Sequence, residues 1–479
     1  MPELTHEFIK NKLKYINSTE VQKAKLEEFQ KFEFYNGHTR DIILAAIKRG
    51  YHKPETLEEL KDRVFPLNIM RKIINKMSVV YEEAPIRYVS DENEADSDLL
   101  EIYEDALNMN IAMKDADRMF ELFKKSIGEI YLDESGTPRL RILPAHTYFA
   151  FSHSAVSPEI PDNIWKILQW NQMAEYQRYA IYTDKRFLIV NGKAEIQHAE
   201  MAALGNPEGI NPFEVLPFAY IVDSSTSTEP VPDDDLFSAS VSIPILLTDL
   251  SFGVKFQIFS LIWTIGYNGD VPSSPNSVLH LERGEDGKEP SINQLKPSVE
   301  VDSTLQLIRA MLGSLLSSRS LKTSTINTDI TVGNAESGIA KAIDNVELNQ
   351  RKKYKQSYFL NFEAQVWNKL ANYMIPYWRQ TRQLNANYNQ EFSTAFSVAV
   401  VLRDPKVMMT DKEQIELSKL KIENGFSTLR RELHAQYPDM NAQDIDLLLK
   451  EILEEKEVNK VQVIDRFAQE MNKEEDDGE

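Results

Sequence analysis

Two long apolar helical stretches, over 236–261 and 302–318, bracket a short segment of strand and turn character, and this arrangement constrains the fold more than any other feature of the 479 residues. In the first stretch Leu246, Leu247, Leu250, Val254, Ile258 and Leu261 fall on one broad stripe. Between the two, 277–282 and 291–295 read as strands, with a turn at Glu285-Asp286-Gly287. A polar, β-branched loop over 321–337 follows, and then a very long helical pattern over 338–382. That pattern starts on Ile339, Ile343 and Val346, turns basic at Arg351-Lys352-Lys353, and becomes aromatic through Tyr358, Phe359, Phe362 and Trp367. Pro376 is expected to kink or end it, because proline has no N–H for the ladder. The most apolar run, 243–265, contains Pro244, Asp249, Gly253, Lys255 and Gln257, and is read as a buried helix rather than a membrane span.

The first half of the chain is mixed. Ser18-Thr19 is placed to cap a helix over 20–34. A second helix over 65–80 has Pro66 near its start and Leu67, Ile69, Met70, Ile73, Ile74 and Met77 at helical spacing. Pro85 turns the chain into an extended 86–89, and 96–127 is helical again. Strand patterns follow at 129–132 and 139–143, around a turn at Glu134-Ser135-Gly136. Others lie at 164–170, 176–182, 186–190 and 194–198, the last two joined by Asn191-Gly192, so an antiparallel sheet is expected. After a further extended segment, 215–222, a polar run over 223–235 reads as a linker. Its aspartates do not match a calcium loop, and the last of them favour the next helix N-terminus. Beyond a strand over 396–402, the capping box Thr410-Asp411-Lys412-Glu413 opens a helix that Gly425 stops. A short helix over 428–435 and a last one from 441 come next, and 473–479 is acidic and read as disordered. The fold class expected is α+β, mainly helical.

Composition excludes several chemistries. With no cysteine there are no disulfides, catalytic thiols or zinc–thiolate sites. The net charge of −20 argues against gripping DNA or an anionic membrane by counterion release, which needs clustered Lys and Arg. The start of the chain lacks the basic-then-apolar order of a signal peptide. No histidine pair has metal-ligand spacing, and neither GxxxxGK[ST] nor GxGxxG occurs. Ser337 lacks a GxSxG elbow, and no carboxylate pair can be singled out among 74 acidic residues. Neither a cofactor nor an enzymatic activity is expected.

Four local segments occur in a telling order. Asn68 opens a run through Met70-Arg71-Lys72-Ile73-Ile74 to Val79-Val80-Tyr81 and Ala84-Pro85-Ile86. Gly209-Ile210-Asn211-Pro212-Phe213 and Leu216-Pro217-Phe218 precede the first long helix, and Ala335-Glu336-Ser337-Gly338-Ile339-Ala340 opens the third. Arg403-Asp404-Pro405, Asn424-Gly425-Phe426-Ser427 and Tyr437-Pro438-Asp439 mark the C-terminal part. With the order of elements, these segments resemble the portal proteins of tailed bacteriophages over nearly the whole chain. The resemblance implies a wing over 1–233, a first stem helix over 234–262, a clip over 263–300 and a second stem helix over 301–320. A tunnel loop over 321–337, a long kinked helix with a return strand over 338–403, and a crown over 404–479 complete it.

The implied role is a ring of about twelve subunits at one capsid vertex, through which double-stranded DNA is packaged and ejected without sequence specificity. Terminase, a head-completion (adaptor) protein, and major capsid and scaffolding proteins are its implied partners, with no membrane. The implied DNA channel residues are Arg309, Arg319, Lys322, Thr323, Thr325, Asn327, Thr328, Thr331, Asn334 and Glu336. Glu282, Arg283, Glu285, Asp286 and Lys288 are the implied clip contacts. Leu246, Leu250, Val254, Leu305, Ile308 and Leu312 are candidates for stem packing between neighbours, with ordinary intrachain core as the alternative. Another phage structural protein, a baseplate or scaffold component, is the rival reading.

Overall fold

The computed structural model describes residues 4–50, 58, 60–90, 93–231, 233–258, 261–265, 291–295, 300–321, 346–394 and 396–403. Beyond these it describes 418–420, 422, 428–429, 433, 445 and 447–452. The chain divides into two compact units, Met1–Thr331 with Val346–Pro405, and Val332–Asn345 with Lys406–Glu479. In the second, the described residues are helical apart from Thr428, and Leu433 and Ile445 are buried. The first is mainly helical, with small antiparallel sheets.

Helices α1 (His6–Ile16), α2 (Thr19–Asn36), α3 (Thr39–Gly50) and α4 (Ile69–Met77) open this unit. Thr5 caps α1 by accepting from the Phe8 N–H, and α2 stops at Gly37, whose φ of 114° is left-handed. The α4 helix is shorter than the 65–80 expected. Asn68 caps it at 2.9 Å from the Arg71 N–H, leaving Phe65, Pro66 and Leu67 in front of the cap. Strand β1 (Ile86–Val89) follows Pro85 as expected.

The single helix expected over 96–127 is two helices, α5 (Glu94–Leu107) and α6 (Met109–Phe123). Asn108 breaks them at φ 48°, a left-handed conformation that asparagine tolerates better than most residues. Ile127 belongs instead to β2 (Lys125–Leu132), because the sheet offers its backbone a partner at Tyr220.

Strand β3 (Pro138–Ile142) pairs with β2 across the expected turn. The Asp133 carboxylate accepts from the Ser135 and Thr137 N–H groups, both at 2.9 Å, and Gly136 sits at φ 75°. A Cβ on Gly136 would lie 2.5 Å from the Gln383 carbonyl oxygen, so Gly136→Ala is expected to lower stability by more than about 1 kcal/mol in urea unfolding. Next come β4 (Tyr148–Phe151), β5 (Asn163–Gln169), β6 (Arg178–Thr183) and β7 (Phe187–Val190), a four-stranded antiparallel meander. The strand expected at 194–198 is absent. Asn191 accepts from the Lys193 and Glu195 N–H groups and Ala194 adopts φ 68°, so the chain coils into the short α7 (His198–Ala203). Strand β8 (Phe218–Val222) completes a second sheet in the order β3-β2-β8, so the one antiparallel sheet expected is two.

Helix α8 (Asp235–Ile258) leads to β9 (Leu261–Ile265), which pairs antiparallel with β10 (Ser291–Leu295), and α9 (Val301–Ser318) follows. The long helix α10 (Val346–Lys369) runs into a π-helical turn, Leu370–Met374, and then α11 (Ile375–Gln380). Pro376 stands in the first turn of α11, and the π turn just before it accommodates the i−4 hydrogen bond that its missing N–H cannot make. Strand β11 (Val398–Val401) returns to pair with β1.

Phe359, Phe362, Val366 and Trp367 of the long helix and Leu370 of the π turn are buried in one core, with Tyr103, Phe120 and Ile130. The same helix covers the edge of β8: the Gln365 amide accepts from the Tyr220 N–H at 3.0 Å and donates to its carbonyl at 3.1 Å. An edge strand is thus closed to pairing with other chains.

Candidate stem and channel site

Helices α8 and α9 pack along each other, and the β9–β10 pair joins the ends remote from residues 235 and 318. Leu261 begins β9 instead of ending the helical stripe. By length and composition Asp235–Val254 could cross a membrane, but only 22% of its most apolar window is buried. The expectation of a buried helix is therefore corrected within the single chain. Leu236 and Ile243 are buried in the core beneath α3 and α4, Leu246 and Leu247 pack partly against it, and Leu250 and Val254 are half-buried.

Of the six stem candidates, Ile308 is buried, and Leu246 and Leu312 pack partly against that core. Leu250, Val254 and Leu305 are half-buried, and Leu307 is 51% exposed. Covering a half-buried leucine gains about 1 kcal/mol.

Arg309 is exposed on α9. Arg319 is not available to a channel. Its guanidinium forks onto Asp233 at 2.8 and 3.1 Å and also meets Asp235, which ties the end of α9 to the start of α8. The remaining channel candidates, Lys322, Thr323, Thr325, Asn327, Thr328, Thr331, Asn334 and Glu336, lie outside the described residues. So do Glu282, Arg283, Glu285, Asp286 and Lys288, and the strand expected over 277–282.

The Arg319 fork is one end of a chain of charges that reading the sequence missed. Lys124 stands 4.0 Å from Asp233 and 3.7 Å from Glu121. Glu121 pairs with Arg351 at 2.9 Å and Lys355 at 2.6 Å, and Lys355 reaches Asp117 at 2.8 Å. Burial raises the Asp117 carboxyl, and Lys355 only partly offsets it. Burial acts the same way on Glu121, but Lys355, Arg351 and Lys124 together hold it below the ordinary range. A second cluster rivets the same helix lower down. Glu363 accepts from Arg87 at 2.7 and 3.0 Å and from the Tyr81 hydroxyl at 2.7 Å, all buried. A legible signal existed: Asp117 and Glu121 sit four apart, as do Arg351 and Lys355, which places complementary pairs on facing helices. Both described flanks of 322–345, α9 and α10, are thereby clamped to the same charges.

A cavity of about 750 Å³ lies between α1, α2 and β4. Lys25 in it is held below the ordinary lysine value by burial and by Lys125. Its protons go to Glu28 at 2.7 Å and the Ala145 carbonyl at 2.8 Å, so the group reads as a strut rather than a nucleophile. Glu28 also meets Lys125 at 2.8 Å; despite burial, the two lysines bring it down to about 2. Its folded value lies below its unfolded one, so its contribution is complete above about pH 4.5 and disappears as pH falls toward 2. Urea unfolding from pH 7 to 3 is expected to show a loss of about 2 kcal/mol from this group, and Glu28→Gln to flatten that slope. Among the described residues no group of three or more His, Asp or Glu is placed to hold a metal.

No protein-family model and no curated protein matches this sequence. Among solved structures, the chain is similar to one in "Neck of empty GTA particle computed with C6 symmetry", at 12% identity and a TM-score of 0.36, covering 78% of this chain and 91% of that one. A chain in "Virion of native gene transfer agent (GTA) particle" matches at 10% identity and 0.35, covering 76% and 87%. One in "Neck of native GTA particle computed with C12 symmetry" matches at 10% and 0.34 over the same shares.

Proposed function

We propose that this chain is a portal-type subunit of a tailed phage or phage-like particle, assembling into a ring at one capsid vertex through which DNA enters and leaves. One observation carries the reading: α8, an apolar helix packed against α9, α3 and α4, has only 22% of its most apolar window buried in the isolated subunit, the rest being mostly half-buried. A ring covers that face with the stem helices of neighbours. The succession of helix, strand pair, helix and long buried helix supports the same conclusion, since it is the order the portal resemblance implies.

In this reading α8 and α9 are the stem, the segment between β9 and β10 is the clip, and 322–345 holds the tunnel loop. Terminase and then a head-completion protein dock on the clip, through Glu282, Arg283, Glu285, Asp286 and Lys288. Capsid and scaffolding proteins surround the wing. An acidic channel suits DNA transit, because every Lys or Arg contact to phosphate adds affinity that resists sliding. Arg309 stays among the channel candidates and Arg319 becomes part of the stem base.

Native mass measurement with negative-stain class averages of the purified protein tests this. Rings of about twelve copies with a central hole, formed without detergent, support it. A homogeneous monomer or dimer across salt and concentration would sink it, and a need for detergent would turn α8 into a membrane segment, which its length and composition also permit.

A further inference from the structure

A groove bounded by α2, α4, α6 and β3 gathers four arginines on a chain of net charge −20. Arg71, Arg118, Arg139 and Arg141 line a volume of about 690 Å³, together with Tyr35 and Ile111. Two of them are spent. Arg139 donates to Asp133 at 3.0 Å and to the Ala106 carbonyl at 2.9 Å, and Arg141 binds Glu129. The other two have donors to spare. Arg118 makes one ion pair, to Asp115 at 2.7 Å, and its side chain stays 31% exposed. Arg71 is exposed, has no ion pair among the described residues, and stands 6.0 Å from the Tyr35 ring. Beside them Ile111 is 66% exposed. Arginine, tyrosine and an uncovered aliphatic side chain form the composition of a protein interface core, with unused guanidinium donors asking for carboxylates.

The complementary surface is on the same chain. Helix α5 contains no basic residue and shows Asp98, Glu101, Ile102 and Asp105 on one exposed face, at helical spacing. None of these three carboxylates has an ion pair among the described residues, so the subunit does not satisfy them internally. We propose that the arginine groove of one copy receives this acidic face of α5 from a neighbouring copy. The inference rests on the ring reading and deepens it: closure by rotation needs two different, mutually complementary surfaces on every subunit, and these are such a pair. Electrostatic complementarity of this kind fixes register between neighbours as well as adding affinity.

Charge reversal on the full chain tests it, read as the fraction of protein in rings by native mass and sedimentation. Arg71→Glu alone, at an exposed side chain with no ion pair, and Arg71→Glu with Arg118→Glu are each expected to lower that fraction, the double variant by about tenfold or more. Asp98→Arg with Glu101→Arg should do the same, and the chain carrying all four changes should recover rings. Undiminished rings in the reversals, or no recovery in the fourfold variant, would overturn the proposal while leaving the ring reading intact. Absence of rings in the unaltered protein would overturn both. A DNA duplex of about twenty base pairs provides the control: binding that Arg71→Glu abolishes, with rings unaffected, would assign the groove to phosphate and overturn the pairing with α5.

Discussion

Replacing Lys355 with methionine is expected to cost the fold about 3–5 kcal/mol, a large part of what a domain of ordinary stability possesses. Its ammonium is buried and makes three contacts, with Asp117 at 2.8 Å, Glu121 at 2.6 Å and the Met77 carbonyl at 3.0 Å. Glu121 retains Arg351 and Lys124, but Asp117 keeps only the Val80 N–H at 2.9 Å. An isolated buried carboxylate protonates rather than remain charged, and the Asp117 carboxyl already stands above its ordinary value through burial. The sign of the pH dependence follows. With the folded value raised above the unfolded one, the variant's deficit is largest at neutral pH and shrinks as pH falls toward the carboxylate range. Denaturant unfolding at pH 7.5 and about pH 5 measures both, and Asp117→Asn added to Lys355→Met is expected to restore part of the loss at pH 7.5. A single variant within about 0.5 kcal/mol of the parent would mean that water, not the fold, supports these charges.

The second large effect concerns assembly. Leu250→Glu combined with Val254→Glu is expected to convert rings into subunits while leaving the subunit folded. Both side chains are half-buried on α8, next to the face that the single chain does not cover. Covering them against neighbours is worth about 1–2 kcal/mol each, and enclosing two carboxylates without partners costs several more. An association constant weakened by more than about a hundredfold at every subunit contact should empty the ring population at micromolar protein. Sedimentation velocity reads the loss, and far-ultraviolet circular dichroism with thermal unfolding confirms that the subunit remains folded. Rings that persist in the double variant would place the stem interface elsewhere and remove the observation on which the portal reading stands.

Sequence periodicity located most elements because helices and half-buried strands leave a repeating apolar pattern. The stretches at 20–34, 86–89, 139–143 and 302–318 come within about two residues of α2, β1, β3 and α9. Boundaries failed where a backbone conformation or a remote partner decided them. Nothing local distinguishes Asn108 in a left-handed break from an asparagine within a helix. The helical pattern expected to run to Ile127 gives way to strand at Lys125, because β8, almost a hundred residues away in sequence, pairs with that backbone. Arg319 looked like a free cation at a helix end, because the aspartates that neutralise it stand at the start of another helix.

By itself the sequence determined which residue chemistries this chain has to work with and which of its faces are apolar. Lack of cysteine and of phosphate-binding loops, an acidic balance, and the succession of long helices around a small β segment are all local or summed quantities. Tertiary structure alone decided which charges are spent and which are free. Burial and partnership depend on residues distant in the chain, and so Arg319, Arg351 and Lys355 proved to be internal struts while Arg71 stayed open to a partner. The same reason governs α8: its composition reads as a core helix, and only the packing around it shows that much of it is left half-buried in one subunit.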